Sequence, residues 1–123
     1  MTAPYPVPVA TEEPLGSVTR VLALDEATGD GDGYGDGRPI VEDVFTGTSL
    51  PQLSGRIYGG QVVAQGMLAG AATLIDDGGS GSSERLPHSV HAYFMRGGRP
   101  DKPVSFAVER LHDGRSFSQR RTT

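Results

Sequence analysis

The apolar positions of the chain show two periods, one helical and one of strand type, separated by glycine-rich runs. Over residues 61–75 (QVVAQGMLAGAATLI), Ala64, Met67, Leu68, Ala71, Ala72 and Ile75 follow i, i+3, i+4, i+7, i+8 and i+11. That spacing puts them on one face of a helix about 22 Å long. Gly59-Gly60 marks its start and Asp76-Asp77-Gly78-Gly79 its end. Gly66 and Gly70 stand inside it, each costing about 1 kcal/mol relative to Ala. Such a cost is expected where another backbone approaches closely, as it does under a sheet curled round the helix.

The strand period follows. In His88 to Met95 (HSVHAYFM), Val90, Ala92 and Phe94 point one way and Ser89, His91, Tyr93 and Met95 the other. Gly97-Gly98-Arg99-Pro100 breaks this pattern. Val104 to Leu111 predicts a second strand, with Val104, Phe106 and Val108 on one face. His112-Asp113-Gly114 is a hairpin signal, and Arg115 to Thr123 predicts the returning strand with Phe117 inward. Upstream, Val21 to Leu24 fits either a strand or a helical turn.

The remainder reads as punctuation. Four prolines (Pro4, Pro6, Pro8, Pro14) predict a flexible arm over residues 1–19. Residues 28–37, TGDGDGYGDG, predict a mobile acidic loop, and residues 78–83, GGSGSS, a linker. One partial domain is thus expected over residues 20–123.

Composition narrows the function. The chain has 123 residues, 36% of them hydrophobic, which supplies one small core and not two. No apolar run is long enough to span a membrane. Cysteine is absent, which removes disulfides, thiolate nucleophiles and cysteine–zinc sites and permits a cytoplasmic location. The net charge of −4 conceals an asymmetry. Residues 1–50 hold nine acids and two bases, residues 51–123 six acids and nine bases, eight of them Arg. Arg96, Arg99, Arg115, Arg120 and Arg121 are candidates for phosphate groups, which the planar guanidinium meets in bidentate fashion. The alternative is a solvated charged surface.

Metal chemistry has little support. Counted from Asp30, the acidic loop fits a calcium-binding loop at positions 1, 3 and 6, but Tyr34 and Val41 occupy positions 5 and 12. His88 and His91 lie three apart in a predicted strand, so they face opposite sides and cannot share a metal without a bulge. No cofactor, metal site or nucleic-acid partner is expected, and neither a nucleophile elbow nor a phosphate-binding glycine loop is present.

The order of elements, Gly-Gly, a long small-residue helix and then hairpin-joined strands, suits an α+β hot-dog fold. Three blocks carry a closer likeness: Arg56 to Gln65 (RIYGGQVVAQ), His88 to Arg96 (HSVHAYFMR) and Asp113 to Arg121 (DGRSFSQRR). Together they resemble the N-terminal half of type II acyl-CoA thioesterases, over roughly residues 21–123. The family usually has Arg where Thr46 stands and Arg-Pro-Gly where Arg96-Gly97-Gly98 stands. The resemblance implies hydrolysis of a fatty acyl-CoA to the free acid and coenzyme A. It also implies a second hot-dog half that supplies the catalytic Asp, Thr or Ser, and Gln. The chain is therefore expected to be a fragment, its fold incomplete at the C-terminus and inactive alone, with a second half or a homo-oligomer as partner.

No catalytic residue is assigned within this chain. The candidate substrate-binding residues are Gly59, Gly60, Gln61, His91, Tyr93, Arg96 and Arg115. Unpaired N–H groups at the helix start would polarise a thioester carbonyl, although two glycines also simply let the chain turn. A hot-dog enoyl-CoA hydratase would want an acid near that start, and none lies between Asp43 and Asp76.

Overall fold

A computed structural model describes residues 14–27, 43–74 and 85–123. The proline arm up to residue 13, the acidic loop with its calcium-like spacing, Ile75 and the 78–83 linker lie outside the described residues. In chain order the elements are α1 (Pro14–Leu22), β1 (Asp25–Ala27), β2 (Asp43–Gly47), α2 (Gly59–Ala72), β3 (Val104–Asp113) and β4 (Ser118–Thr122). The strands form one antiparallel sheet in the order β1-β2-β3-β4, and α2 packs on it.

Helix α1 begins inside the stretch expected to be an irregular arm. Pro14 stands at its first position, where a fixed φ suits a helix and the missing N–H breaks no bond. Val21 and Leu22 close this helix rather than open a strand.

The sheet is built around β3. Its first half pairs with β2, placing Phe106 directly opposite Phe45 and Val108 opposite Asp43. Its second half pairs with β4, placing Glu109 opposite Arg121 and Asp113 opposite Ser118, with a bulge between Arg110 and His112. The two ladders overlap only at Val108 and Ala107, the latter exchanging bonds with Thr123 (both 2.9 Å). Phe45, Phe106, Val108 and Ala69 form the buried core. Each large side chain there contributes about 1.5–3 kcal/mol on burial. The hairpin turn falls later than expected, because His112 and Asp113 still belong to β3. Phe117, expected inward, is 66% exposed in that turn.

Helix α2 starts two residues before the expected helix and ends three before it. It also presents a different face. Gln61, Gln65, Ala69 and Gly70 are buried, whereas Met67 and Leu68 are each 37% exposed. A helix that is apolar nearly all round has no periodicity that selects one side; hydrogen bonding selects it here. Gln65, fully buried, donates from Nε2 to the carbonyls of Val21 and Thr48 (both 2.8 Å) and accepts from Gln61 Nε2 (3.3 Å). Gln61 Oε1 in turn accepts from the Leu50 N–H (3.0 Å). One amide thus ties α1, the segment after β2 and α2 together. Gly47 makes room for it, since a Cβ there would stand 2.8 Å from Gln65 Nε2 and from Leu24.

The interior glycines of α2 lie where it crosses β4. Thr122 Oγ1 donates to the Gly66 carbonyl (3.1 Å), and a Cβ on Gly70 would meet Arg120 at 3.4 Å. At the helix end Thr73 Oγ1 donates to the Gly70 carbonyl (2.7 Å) and accepts from Arg120 Nε (2.6 Å).

The segment His88–Met95 corrects the strand expectation. It has strand composition but no strand partner among the described residues, and every residue in it is exposed. A strand exists only through its ladder, because single strands leave their backbone groups to water. The segment is anchored elsewhere. At one end Arg85 donates to Ser118 Oγ and to the Gly114 (2.8 Å) and Arg115 (3.2 Å) carbonyls. His88 meets the Phe117 ring edge-on at 6.0 Å. At the other end the Phe94 ring lies against Gly59, 3.1 Å from where a Cβ would stand.

Candidate functional site

Segments 56–62 and 94–105 meet at the start of α2 and enclose a cleft of about 860 Å³. The meeting is fixed by backbone. The Ile57 N–H donates to the Gly98 carbonyl (3.1 Å), and Ile57 fills the space where Gly98 lacks a side chain, 2.7 Å from a notional Cβ. Gly97 is crossed in the same way by the aliphatic stem of Arg56, at 3.3 Å. The glycines that end the His88–Met95 pattern therefore let the two segments close on each other.

The cleft is cationic. Arg56, Arg96, Arg99 and Lys102 line it, and no Asp or Glu side chain does. Arg99 forms a bidentate pair with Asp101 (2.6 and 3.0 Å), and its hydrogen bond holds the Asp101 carboxyl below the ordinary carboxylate range. Among the described residues, Arg56, Arg96 and Lys102 have no acidic partner within ion-pair distance. The apolar wall comes from Ile57, Val62, Val104 and the Phe94 ring, which is 66% exposed.

The residues picked out in the sequence divide by position. Gly59 and Arg96 line the cleft. Gly60 follows in the first turn of α2, covered by the Tyr58 ring, and Tyr58 caps the helix without a side-chain bond. The Gly59 and Gly60 N–H groups have no intrahelical acceptor, as the first turn requires. Gln61 points inward, its amide committed to Leu50 and Gln65. His91 and Tyr93 lie on the exposed segment, Tyr93 at 88%. Arg115 belongs to the β3–β4 turn, where its carbonyl binds Arg85, and does not line the cleft. Arg56, Lys102 and Phe94 were missed. Arg56 had a signal, since it opens the first of the three quoted blocks. Lys102 had none beyond its charge.

Arg120 and Arg121, considered as anion ligands, are engaged within the fold. Arg120 bonds Thr73, Asp113 (2.9 Å) and the His112 carbonyl, and Arg121 pairs with Glu109. The described residues contain no group of three or more metal-ligating side chains, and none of their helices is long and apolar enough to cross a membrane.

An antiparallel sheet curled against one helix defines a hot-dog domain. Residues 48–123, more than half the chain, match the acyl-CoA thioesterase N-terminal domain family, and the chain belongs to that family. Human acyl-coenzyme A thioesterase 8 is 39% identical over 82 residues, covering 67% of this chain and 24% of that protein. Acyl-CoA thioesterase 2 of Haemophilus influenzae is 37% identical over 75 residues, 61% of this chain and 24% of that protein. The peroxisomal acyl-coenzyme A thioester hydrolase 1 of Saccharomyces cerevisiae is 33% identical over 60 residues, 49% of this chain and 15% of that protein. The chain thus spans about a quarter or less of the length of these relatives. No solved structure matches it significantly.

Proposed function

We propose that this chain is the N-terminal part of an acyl-CoA thioesterase, and that it works with a second hot-dog half. The reaction adds water across the thioester C–S bond of a fatty acyl-CoA, giving a carboxylic acid and the coenzyme A thiol. The observation that carries this reading is the family match over residues 48–123 with relatives named as acyl-CoA thioesterases. The second half supplies the water-activating groups; the cleft at the start of α2 has no acidic side chain to do so. Here α2 contributes the Gly59 and Gly60 N–H groups, which polarise the thioester carbonyl.

The partner reading has support of its own. Leu86, Val90, Tyr93, Phe94 and Met95 are all more than half exposed, and β4 has no strand on its outer side among the described residues. Both features suit strand addition by a second half. The cysteine-free composition suits a cytoplasmic location, which fractionation of cells expressing the tagged protein tests.

The main test is release of free thiol from a medium-chain acyl-CoA. The full chain alone is expected to give no turnover above background, and to give turnover when co-expressed with the C-terminal half of a related thioesterase. Robust turnover by the chain alone would overturn the proposal, as would a soluble complex of the two halves that stays inactive.

A further inference from the structure

Residues 86–95 are exposed throughout and make no backbone hydrogen bond among the described residues, yet the segment is tied down at both ends. At its C-terminal end the Gly98 carbonyl accepts from the Ile57 N–H, and the Phe94 ring lies against Gly59. At its N-terminal end the main tie is one side chain. Arg85 donates from Nη1 to Ser118 Oγ and from Nη2 to the carbonyls of Gly114 (2.8 Å) and Arg115 (3.2 Å). The Ser118 hydroxyl is itself oriented, because it donates to the Asp113 carboxylate, which Arg120 holds from its own side (2.9 Å). Its oxygen is thereby left to accept from Arg85. Arg85 is exposed, and none of its three acceptors belongs to the buried core. Three charge-assisted bonds thus order a segment that has no ladder of its own, from a side chain that adds nothing to the core.

We propose that Arg85 is a positioning residue for assembly: it pins the start of the 86–95 segment to the β3–β4 turn, and so holds that segment in place for strand addition by the second hot-dog half. The proposal rests on the two-half reading above and adds to it which residue prepares this half for its partner. A segment ordered before its partner arrives loses less conformational freedom on binding, so the tie strengthens assembly without touching the partner. A second copy of this chain suits the segment less well. Antiparallel pairing over its full length sets Arg85 of one copy opposite Arg96 of the other at both ends, and like charges directly opposite destabilise a strand pair. The thioesterase relatives, by contrast, are matched over 24% of their length, which leaves about three quarters of each to supply a second half.

The test is titration of the full chain with the C-terminal half of a related thioesterase, followed by analytical ultracentrifugation. Thermal unfolding and chymotrypsin digestion of the full chain alone accompany it. Arg85→Ala is expected to leave the thermal transition unchanged, because the residue lies outside the core. It should speed cleavage after Tyr93 and Phe94 several-fold and weaken the complex about tenfold or more. Arg85→Lys keeps the charge but replaces the fork with a single point donor, so its digestion and affinity should fall between those of Arg85→Ala and wild type. Equal affinity in wild type and Arg85→Ala, unchanged digestion, or a lowered thermal transition that accounts for the lost affinity would overturn the positioning role and leave the two-half reading standing. A wild-type chain that binds no second half, or that pairs with a second copy of itself instead, would overturn both.

Discussion

Strand β3 and the segment His88–Met95 have much the same sequence character and opposite fates. Both alternate apolar and polar residues, and both carry a phenylalanine on the apolar face, Phe106 in one and Phe94 in the other. In β3, Phe106 and Val108 are 3% and 0% exposed, with β2 on one side, β4 on the other and α2 above. In the other segment Val90 and Phe94 are 56% and 66% exposed. Composition sets which residues are fit for a sheet, while the neighbouring strands decide which are in one. The difference separates the part of this domain that buries its own apolar face from the part that leaves it exposed.

The strongest challenge to that contrast is Val108→Asp. It would place an unpaired charge where the two ladders overlap, and the cooperative unfolding transition of the full chain should vanish in circular dichroism. A folded Val108→Asp variant would mean that the sheet is not the core. Gln65→Ala comes next. It strands the Val21 and Thr48 carbonyls and leaves a cavity, so about 3 kcal/mol should be lost in denaturant titration. A loss under about 1 kcal/mol would show that the buried amide is not what orients α2.

Acid should act on the paired side through Asp113. The Ser118 hydrogen bond, with the Arg120 guanidinium, holds the Asp113 carboxyl below its ordinary range. Its folded pKa is lower than its unfolded one, so its contribution is complete at neutral pH. It is lost as pH falls from the ordinary carboxylate value through the folded one. The side chain is half exposed, so solvent screening keeps the contribution small. Asp113→Asn should flatten the acid limb of a Tm-against-pH curve slightly, and an unchanged limb would remove Asp113 from the account. The smallest effect is expected from Tyr93→Ser and Met95→Ser. Each should leave the stability of the chain alone within about 0.5 kcal/mol, yet weaken assembly with a second half.

The same contrast explains what could be read from sequence. The β3–β4 hairpin was legible because alternation and the Asp113-Gly114 turn are local signals. Helix α2 was legible through its glycine punctuation, but its buried face was not, because Gln65 turns inward toward carbonyls 17 and 44 positions upstream. Residues 88–95 misled because pairing is a property of two segments. The cleft had the same difficulty. Arg56 and Arg96 become neighbours only through the Ile57–Gly98 bond, whereas Arg115, marked by its charge and by the third block, folds to another part of the sheet.

Strand β3 holds its two partners almost end to end, with Ala107 and Val108 alone shared. Such a lap joint divides the sheet into two units that open separately. Fraying of the β4 hairpin exposes the amides beyond the Arg110–His112 bulge and spares those at Phe106. Opening of the β1–β2 side leaves the hairpin closed. Amide exchange along this one strand should therefore fall into two kinetic classes that meet at the overlap, where the Ala107 N–H, donated to the Thr123 carbonyl, exchanges with the hairpin.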